Sequence, residues 1–256
     1  MSGIAFVSGA SRGIGRAIAL ELGRRGFAVA VNGRTETAAM DATVAEIERT
    51  VGRAVPVPGD VSDPELVPIL LDAAEAQLGP LTTLVANAGA GPMRRADLLE
   101  VTPDGLSHCL VANTIGPFFL LQTFAKRLLG RPNADGTHRS ITLISSANAI
   151  AASPNKGDYC VSKAGAAMVA KLFAQRLSPE GIQVVDVRPG VIETDLSASV
   201  VDAYRRRIVE EGLALEPRVG QPKDVARVVG SVASGDLPYV TGSVIAVDGG
   251  LSMERF

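Results

Sequence analysis

The sequence predicts an α/β fold in which a doubly wound, seven-stranded parallel sheet carries helices on both faces. Seven short apolar, β-branched segments recur along the 256 residues, at 4–8, 27–32, 53–57, 82–87, 140–145, 182–187 and 243–247. Segments with helical periodicity separate the first four of them, at 15–26, 38–52 and 64–79. Alternating strands and helices favour this architecture because a right-handed crossover helix joins parallel neighbours.

No linker-like composition interrupts this pattern, so we expect a single domain over residues 1–256. Several of the strand segments are apolar nearly throughout, which is typical of strands covered on both faces. Residues 191–220 break the rhythm with a longer excursion between the sixth strand and the next helix. We expect this excursion to be a lid or substrate-binding insertion within the domain.

The charge balance and the few cysteines exclude several functional classes. Twenty-five basic and 27 acidic residues give a net charge of −2, which provides no general attraction to nucleic acid or to an anionic membrane. Cys109 and Cys160 make no disulfide framework, and with His108 and His138 they have no metal-ligand spacing. We therefore expect no bound metal. A secretory signal and an apolar span of about 18 residues are both missing, so we expect a cytoplasmic protein.

A glycine-rich turn, SGASRGIG, follows the first strand and opens the first helix. Its glycines, Gly9, Gly13 and Gly15, have the spacing GxxxGxG, which differs from GxGxxG, and no Lys-Ser or Lys-Thr follows as in a Walker loop. Backbone amides and the helix dipole make such a turn a pyrophosphate site. The turn therefore predicts a dinucleotide site, with a turn that binds no ligand as the alternative.

Further motifs follow the later strands in order. Asn87-Ala88-Gly89 follows the fourth strand, a serine follows the fifth, Tyr159 and Lys163 form YxxxK in the next helix, and Arg188-Pro189-Gly190 follows the sixth. Over essentially the whole chain this series resembles the short-chain dehydrogenases/reductases. The resemblance implies a Rossmann-like domain and an NAD(P)-dependent enzyme that interconverts alcohols and carbonyls.

The candidate catalytic residues centre on a tyrosine and a lysine that share a helix face. A neighbouring ammonium lowers the pKa of a phenol, which lies near 10 when unperturbed. The resemblance implies that Tyr159 transfers the proton, that Ser146 holds the substrate oxygen and that Lys163 binds the ribose and tunes the phenol. It also implies that Asn113 holds a water connecting the lysine to solvent. Ser145 remains the alternative to Ser146, and a polar kink remains the alternative role for Asn113.

The end of the second strand bears on cofactor choice. An NAD site usually has an acid there, whereas this chain has Asn32 and Gly33 followed by Arg34, with Arg12 nearby in the glycine turn. Two guanidiniums without a carboxylate favour NADP(H). NAD(H) remains the alternative, with both arginines merely solvated.

The resemblance implies further cofactor contacts around the same site. It places Asp60 and Val61 at the adenine, and Ile192 and Thr194 at the nicotinamide carboxamide. Asp60 could equally be a turn residue, and Thr194 could equally cap the following helix. The other residues expected to line the cofactor are Gly9, Ser11, Arg12, Gly13, Ile14, Gly15, Arg34, Asn87, Ala88, Gly89, Tyr159, Lys163, Pro189 and Gly190.

The C-terminal segment with Val247–Gly250 resembles that of bacterial 3-oxoacyl-acyl-carrier-protein reductases and their sugar and polyol dehydrogenase relatives. A 3-oxoacyl thioester, carried on acyl carrier protein, is therefore the leading substrate, and a sugar, polyol or small ketone is the alternative. A non-catalytic NADP-binding scaffold is a third hypothesis. The resemblance also implies a homotetramer. Acidic acyl carrier protein needs a basic surface, and the candidates, otherwise solvated helix faces, are Lys126, Arg127, Arg131 and residues 205–207.

Overall fold

Seven parallel strands form one sheet in the computed structural model, which describes residues 3–50, 52–133 and 136–254. The strands are β1 (Ile4–Val7), β2 (Ala28–Gly33), β3 (Ala54–Pro58), β4 (Thr83–Ala86), β5 (Arg139–Ile144), β6 (Ile182–Pro189) and β7 (Val244–Val247). Their spatial order is β3-β2-β1-β4-β5-β6-β7. The predicted strand segments are confirmed to within two residues at each end, because each is a short apolar run bounded by polar or glycine residues.

The helices are α1 (Gly13–Arg24), α2 (Ala38–Glu48), α3 (Leu66–Leu78), α4 (Pro103–Leu110), α5 (Gly116–Leu129), α6 (Gly157–Leu177), α7 (Val201–Glu210) and α8 (Pro222–Ala233). A π-helical turn, Val111–Ile115, joins α4 to α5 without a break. Single π turns inside helices are rare and are frequently found at functional sites.

Successive strand residues point to opposite faces, so the sheet buries two separate cores. Phe6 on β1 packs with α3, α5 and α6, whereas the adjacent Val7 packs with α1, α2 and α8. The doubly wound fold with helices on both faces is therefore confirmed.

The chain reverses its direction of winding between β1 and β4, which are neighbours in the sheet. The ends of these two strands are tied together, because the Ser8 hydroxyl accepts hydrogen bonds from the backbone N–H groups of Asn87 and Ala88, both at 3.0 Å. The Asn87 side-chain amide donates in return to the Ser8 carbonyl at 2.9 Å. A crevice therefore opens at a fixed place, at the carboxyl ends of the strands.

Residues 191–220 form a separate lobe over this crevice. The lobe contains a 3₁₀ turn, Asp195–Ser197, and α7, around a small core of its own built from Val201, Ile208, Ala214 and Val219. A parallel bridge between Ile192 and Gly220 closes its base on the sheet side. Within the described part of the chain, no helix is both long and apolar enough to cross a membrane.

Candidate active site

One cleft of about 1750 Å³ runs along the carboxyl edge of the sheet. The glycine turn and the ends of β2 and β4 line one side, which we call the glycine side. Residues of three segments and of the lobe of residues 191–220 line the rest, which we call the lid side. The lining residues of the three segments are Met93, Arg95, Asp104, Ser107, His108, Val111, Ser146, Ala147, Asn148, Ala151, Ala152, Ser153 and Lys156. Every residue that the sequence predicts for catalysis or cofactor binding lines this one cleft.

The glycine turn has the backbone that a bound phosphate requires. Gly9 and Gly13 have φ values of +64° and +56°, and a Cβ on Gly15 would lie 2.1 Å from the Gly9 carbonyl oxygen. The first turn of α1 holds no acid, and its N-cap residue Arg12 makes no side-chain capping bond. The amides that begin the helix therefore suit an anion such as a pyrophosphate, so these residues fit a dinucleotide cofactor.

The end of β2 carries no anion toward the cleft. The Asn32 side-chain amide donates to the carbonyls of Val57 at 2.8 Å and Gly59 at 3.0 Å, so it ties β2 to the strand beside it. Arg12 and Arg34 are exposed and line the cleft, and neither forms an ion pair within the described ranges. Their charges are therefore available to a ligand.

Asp60 and Thr194 each perform the local role that the sequence left open, and each also lines the cleft. An Asp60 carboxylate oxygen accepts from the backbone N–H of Ser62 at 2.9 Å and from its hydroxyl at 2.7 Å. The Thr194 backbone N–H donates to the Ser197 hydroxyl at 3.0 Å, which caps the 3₁₀ turn. The Thr194 methyl group also lies against the glycine turn, 3.6 Å from where a Cβ on Gly13 would stand.

Ser146, rather than Ser145, is the serine that reaches the tyrosine. The Ser146 side chain acts on the Tyr159 phenol and lowers its pKa, and its hydroxyl accepts a hydrogen bond from the backbone N–H of Asn148 at 3.1 Å. The Ser145 hydroxyl is buried, with no hydrogen-bond partner in the described residues. The two serines therefore differ in direction, as the alternation of side chains along a strand requires.

The pKa of Tyr159 is raised above its ordinary value. Burial is the main cause, while the Ser146 hydrogen bond and the charge of Arg95 act in the opposite direction. Burial outweighs these two favourable interactions, and the role of Lys163 in lowering the phenol pKa stays a prediction. A raised pKa keeps the phenol protonated at neutral pH.

Lys163 is buried beside the phenol and fixed to the sheet. Its Nζ donates to the Ile144 carbonyl at 3.0 Å and lies 5.8 Å from the centre of the Tyr159 ring. Burial lowers the pKa of Lys163 to about 8, against the opposing charges of Asp186 and Cys109. The lysine therefore titrates much closer to neutral pH than a free lysine does.

Asn113 lies in the π turn with its side chain fully engaged. Its amide oxygen accepts from the Ala90 backbone N–H at 3.0 Å, and its amide nitrogen donates to the Ala90 carbonyl and the Ser162 hydroxyl, both at 2.9 Å. The Asn113 side-chain amide therefore joins the loop after β4 to α6. Pro117, four residues later, has no N–H to offer the Asn113 carbonyl.

Gly89 shows why the loop after β4 requires a glycine. A Cβ at this position would lie 2.6 Å from the Asn113 amide oxygen and 3.6 Å from the Lys163 Nζ. Any side chain at Gly89 would therefore displace the asparagine that holds this loop.

Sequence reasoning missed three residues of the lid side: Lys156, Arg95 and Tyr204. The Lys156 Nζ donates to the Asn148 side-chain oxygen at 2.7 Å and to the Tyr204 hydroxyl at 3.5 Å, and it lies 5.9 Å from the centre of the Tyr159 ring. The position of Lys156 immediately before α6, three residues ahead of Tyr159, could have indicated it. No sequence signal indicates Arg95 or Tyr204, because tertiary packing rather than a local motif brings them to the cleft.

The candidate basic surfaces are largely paired with carboxylates. Arg127 on α5 and Arg131, which follows α5, both pair with Glu75 on α3, and Arg205 pairs with Glu193 at 3.0 Å and with Asp202. Arg207 pairs with Glu211 at 3.4 Å. These clusters therefore offer little free positive charge to an acidic protein.

Comparison with known proteins agrees with this geometry. A family model described as enoyl-(acyl carrier protein) reductase matches residues 9–252. L-Rhamnose 1-dehydrogenase (NAD(P)(+)) of a Sphingomonas species is 32% identical over 96% of this chain and 94% of its own length. The 3-oxoacyl-[acyl-carrier-protein] reductase of Staphylococcus aureus is 31% identical over 99% of both chains.

The crystal structure of a 3-oxoacyl-[acyl-carrier protein] reductase from Brucella melitensis in complex with NAD superposes with a TM-score of 0.94. It is 33% identical in sequence and covers 100% of this chain and 99% of its own. Sequence relatives and a solved structure thus agree over the full length of the chain. The chain belongs to the short-chain dehydrogenase/reductase family and is an oxidoreductase of that family.

Proposed function

We propose that the protein is an NADP(H)-dependent oxidoreductase that interconverts a carbonyl group and a secondary alcohol. The observation that carries this proposal is the position of Tyr159, which has the Ser146 hydroxyl at its phenol and Lys163 beside its ring, in the cleft that begins at the glycine turn. A bound nicotinamide supplies or accepts the hydride.

In this proposal the chain's own residues hold the substrate oxygen and move one proton. Ser146 and Tyr159 both hydrogen-bond the carbonyl oxygen, and Tyr159 donates its proton as negative charge develops there. The raised pKa of Tyr159 suits reduction, since the phenol retains the proton that it must deliver. Lys163 binds the cofactor ribose and returns the proton to the phenol through water held at the Asn113 carbonyl.

We propose NADP(H) rather than NAD(H) because the available charges at the end of β2 are positive. Arg12 and Arg34 are exposed in the cleft, and the Asn32 side chain is turned toward β3. A 2′-phosphate gains charge-assisted hydrogen bonds from such guanidiniums. NAD(H) remains the alternative cofactor, since the Brucella reductase was crystallised with NAD.

Two substrate classes have support. The Brucella and Staphylococcus reductases favour a 3-oxoacyl thioester, and the rhamnose dehydrogenase, at similar identity and coverage, favours a sugar, polyol or small ketone. Delivery of a thioester on acyl carrier protein has weaker support, because Arg127, Arg131 and Arg205 are already paired. A non-catalytic scaffold has none, since the serine, tyrosine, lysine and asparagine are all in place.

We also propose assembly as a homotetramer through α6 and the π turn before α5. Three apolar side chains are exposed on the π turn and α6: Ile115 at 42%, Met168 at 54% and Leu172 at 50%. An exposed apolar surface of this kind favours association. Light scattering coupled to size-exclusion chromatography tests the assembly. We expect the mass of a tetramer, and a monomer at micromolar concentration would refute the proposal.

A cofactor-oxidation screen tests the proposed activity. The purified protein is assayed in both directions with 3-oxoacyl thioesters, keto-sugars, diketones and polyols, each with NADPH and with NADH. We expect turnover of at least one class, with NADPH preferred. Tight NADPH binding without turnover of any compound would instead support the scaffold and overturn the proposal.

A further inference from the structure

We propose that Lys156 and Arg95 form an anion-binding subsite on the lid side of the cleft, and that the substrate is a compact carbonyl or alcohol compound bearing a carboxylate. This inference rests on the proposed oxidoreductase function and specifies its substrate class. Short oxo acids, hydroxy acids and sugar acids have the required chemistry.

Lys156 is a half-buried ammonium without a counter-ion. Its Nζ lies 5.9 Å from the ring centre of Tyr159 and 5.7 Å from that of Tyr204, and its hydrogen-bond acceptors are the neutral Asn148 amide oxygen and Tyr204 hydroxyl. In the described residues no carboxylate lies within 4.0 Å of it. An ammonium has three donors, so one remains for a ligand in the cleft.

Arg95 is a second cation without a partner. It lines the same cleft and makes no ion pair in the described parts of the chain, whereas the adjacent Arg94 pairs with Glu100 at 3.0 Å. The charge of Arg95 acts on the Tyr159 phenol. Two positive charges that form no ion pair in the described residues therefore lie in the same cleft as the group that is proposed to hold the substrate oxygen.

The other charged groups of this region form no ion pair with the two cations in the described residues. Asp104 and Asp195 line the cleft, but neither forms an ion pair with Lys156 or Arg95. Asp158 is buried and accepts a hydrogen bond from the Tyr159 backbone N–H at 2.8 Å. Arg207 is largely matched by Glu211. An anionic ligand near Lys156 and Arg95 would thus meet two cations that no carboxylate of the described residues pairs, and such charges attract an anion.

The position of Lys156 limits the size of the substrate. Its ammonium approaches the same ring whose hydroxyl is to hold the reacting oxygen, so a few carbon atoms span the distance between them. A carboxylate close to the carbonyl carbon fits this geometry. In a 3-oxoacyl thioester the groups near the carbonyl carbon are neutral. The nearest charge is a phosphate of the carrier to which the thiol belongs, and a long flexible arm separates it from the carbonyl.

Kinetics with matched acids and esters test the subsite. Oxo acids of four to six carbons and their methyl esters are compared as substrates with NADPH. We expect acids to exceed esters in kcat/KM by about tenfold or more, since a charge-assisted hydrogen bond is lost in the ester. In the variants Lys156→Met and Arg95→Gln, kcat/KM should fall about tenfold more for acids than for esters. This fall should come mainly from a higher KM for the acids.

The chain offers a matched control for each variant. Lys223→Met removes an exposed lysine at the start of α8, and Arg94→Gln removes the arginine next to Arg95. Neither residue lines the cleft, so both variants should keep the acid preference of the wild type. If Lys223→Met lost as much of the acid preference in kcat/KM as Lys156→Met does, general surface charge rather than the subsite would attract acids.

Binding provides a readout independent of turnover. With NADPH present, malonate and succinate should raise the Tm of the wild type more than their diamides do, and Lys156→Met should abolish the difference. The subsite would be overturned if the enzyme reduced esters as efficiently as acids, or if it reduced thioesters alone. Either result would leave the oxidoreductase proposal standing. If nothing is turned over, the oxidoreductase proposal fails, and the Tm measurement still decides whether Lys156 binds carboxylates.

Discussion

Lys163 lies with its Nζ 5.8 Å from the centre of the Tyr159 ring, while the same nitrogen donates a 3.0 Å hydrogen bond to the Ile144 carbonyl. The sheet therefore holds a buried ammonium next to the phenol. Burial lowers its pKa from 10.5 to about 8, so the folded protein binds this proton less tightly than the unfolded chain does. The arrangement favours function at the expense of stability.

Replacing Lys163 with methionine should stabilise the fold at pH 7. Below pH 8 the wild type carries the full cost of the buried charge, and the cost falls as pH rises from about 8 toward 10.5, where both states are neutral. We expect the free energy of unfolding of Lys163→Met to exceed that of the wild type by about 2 kcal/mol at pH 7. This difference should narrow as the pH rises from about 8 toward 10.5. Urea unfolding at a series of pH values measures it.

Lys171→Met is the control for this experiment, because Lys171 is exposed on the same helix. It should change the unfolding free energy little at any pH. A Lys163→Met protein that is less stable than the wild type at pH 7, or a gap that does not vary with pH, would contradict the assignment of a buried, weakly basic lysine.

Arg34 should determine the preference for NADPH. Removing one guanidinium from a phosphate costs about 1.5–3 kcal/mol, so Arg34→Ala should lower kcat/KM for NADPH by about 10- to 100-fold. The value for NADH should change by about twofold or less, because the 2′-hydroxyl does not need the charge. Arg24→Ala, which removes an exposed arginine of α1 outside the cleft, is the control. Equal losses with both cofactors would refute a role at the 2′-phosphate.

Gly15→Ala should disrupt the glycine turn. Its Cβ would lie 2.1 Å from the Gly9 carbonyl oxygen, so the turn must shift. We expect about 1–3 kcal/mol of destabilisation and at least about tenfold weaker NADPH binding. Gly105→Ala is the comparison, since the nearest atoms there are 3.4 and 3.7 Å away. Wild-type NADPH affinity in Gly15→Ala, measured by fluorescence titration, would argue against a phosphate at this turn.

Glu75 should stabilise the packing of α3 against α5. Its side chain is 12% exposed and pairs with Arg127 and Arg131. Burial raises the pKa of Glu75, but the hydrogen bonds from Arg131, from the Leu81 backbone and from Arg127 lower it further, so the net pKa lies below 4.5. Glu75→Gln should lose about 1–3 kcal/mol at pH 7, because two guanidiniums lose their partner.

The difference between Glu75→Gln and the wild type should shrink in acid. A lowered folded-state pKa contributes stability that is full above pH 4.5 and is lost as pH falls through the folded value. Glu48→Gln, at an exposed position at the end of α2, is the control. A Glu75→Gln protein as stable as this control at pH 7 would mean that the cluster contributes nothing.

The sequence was sufficient to predict the sheet and the location of the cleft, because both follow from local patterns. Strands such as β2 and β6 are apolar runs whose alternation with helices specifies parallel pairing. Parallel pairing then brings Gly9, Asn87 and Ser146, each at a strand's carboxyl end, to one edge. The choice between Ser145 and Ser146 required the structure, which shows the side-chain directions.

The remaining features depend on packing that no local pattern encodes. The pKa of Tyr159 is raised rather than lowered, because burial is a property of the whole site. Lys156 immediately precedes α6 and Tyr204 lies on α7, 48 positions later, so only the tertiary packing reveals the pair. Asn113 holds the loop after β4 with its amide, a role that the motif alone did not specify.

The central claim, that Tyr159 transfers the proton, is tested most directly by kcat for carbonyl reduction in Tyr159→Phe. This substitution removes the hydroxyl group and keeps the aromatic ring. NADPH affinity should therefore stay within about threefold of the wild type while kcat falls by about 10²–10⁴-fold. Tyr239→Phe, at a fully exposed position, should behave as the wild type. A Tyr159→Phe enzyme with undiminished kcat and normal NADPH binding would contradict the account.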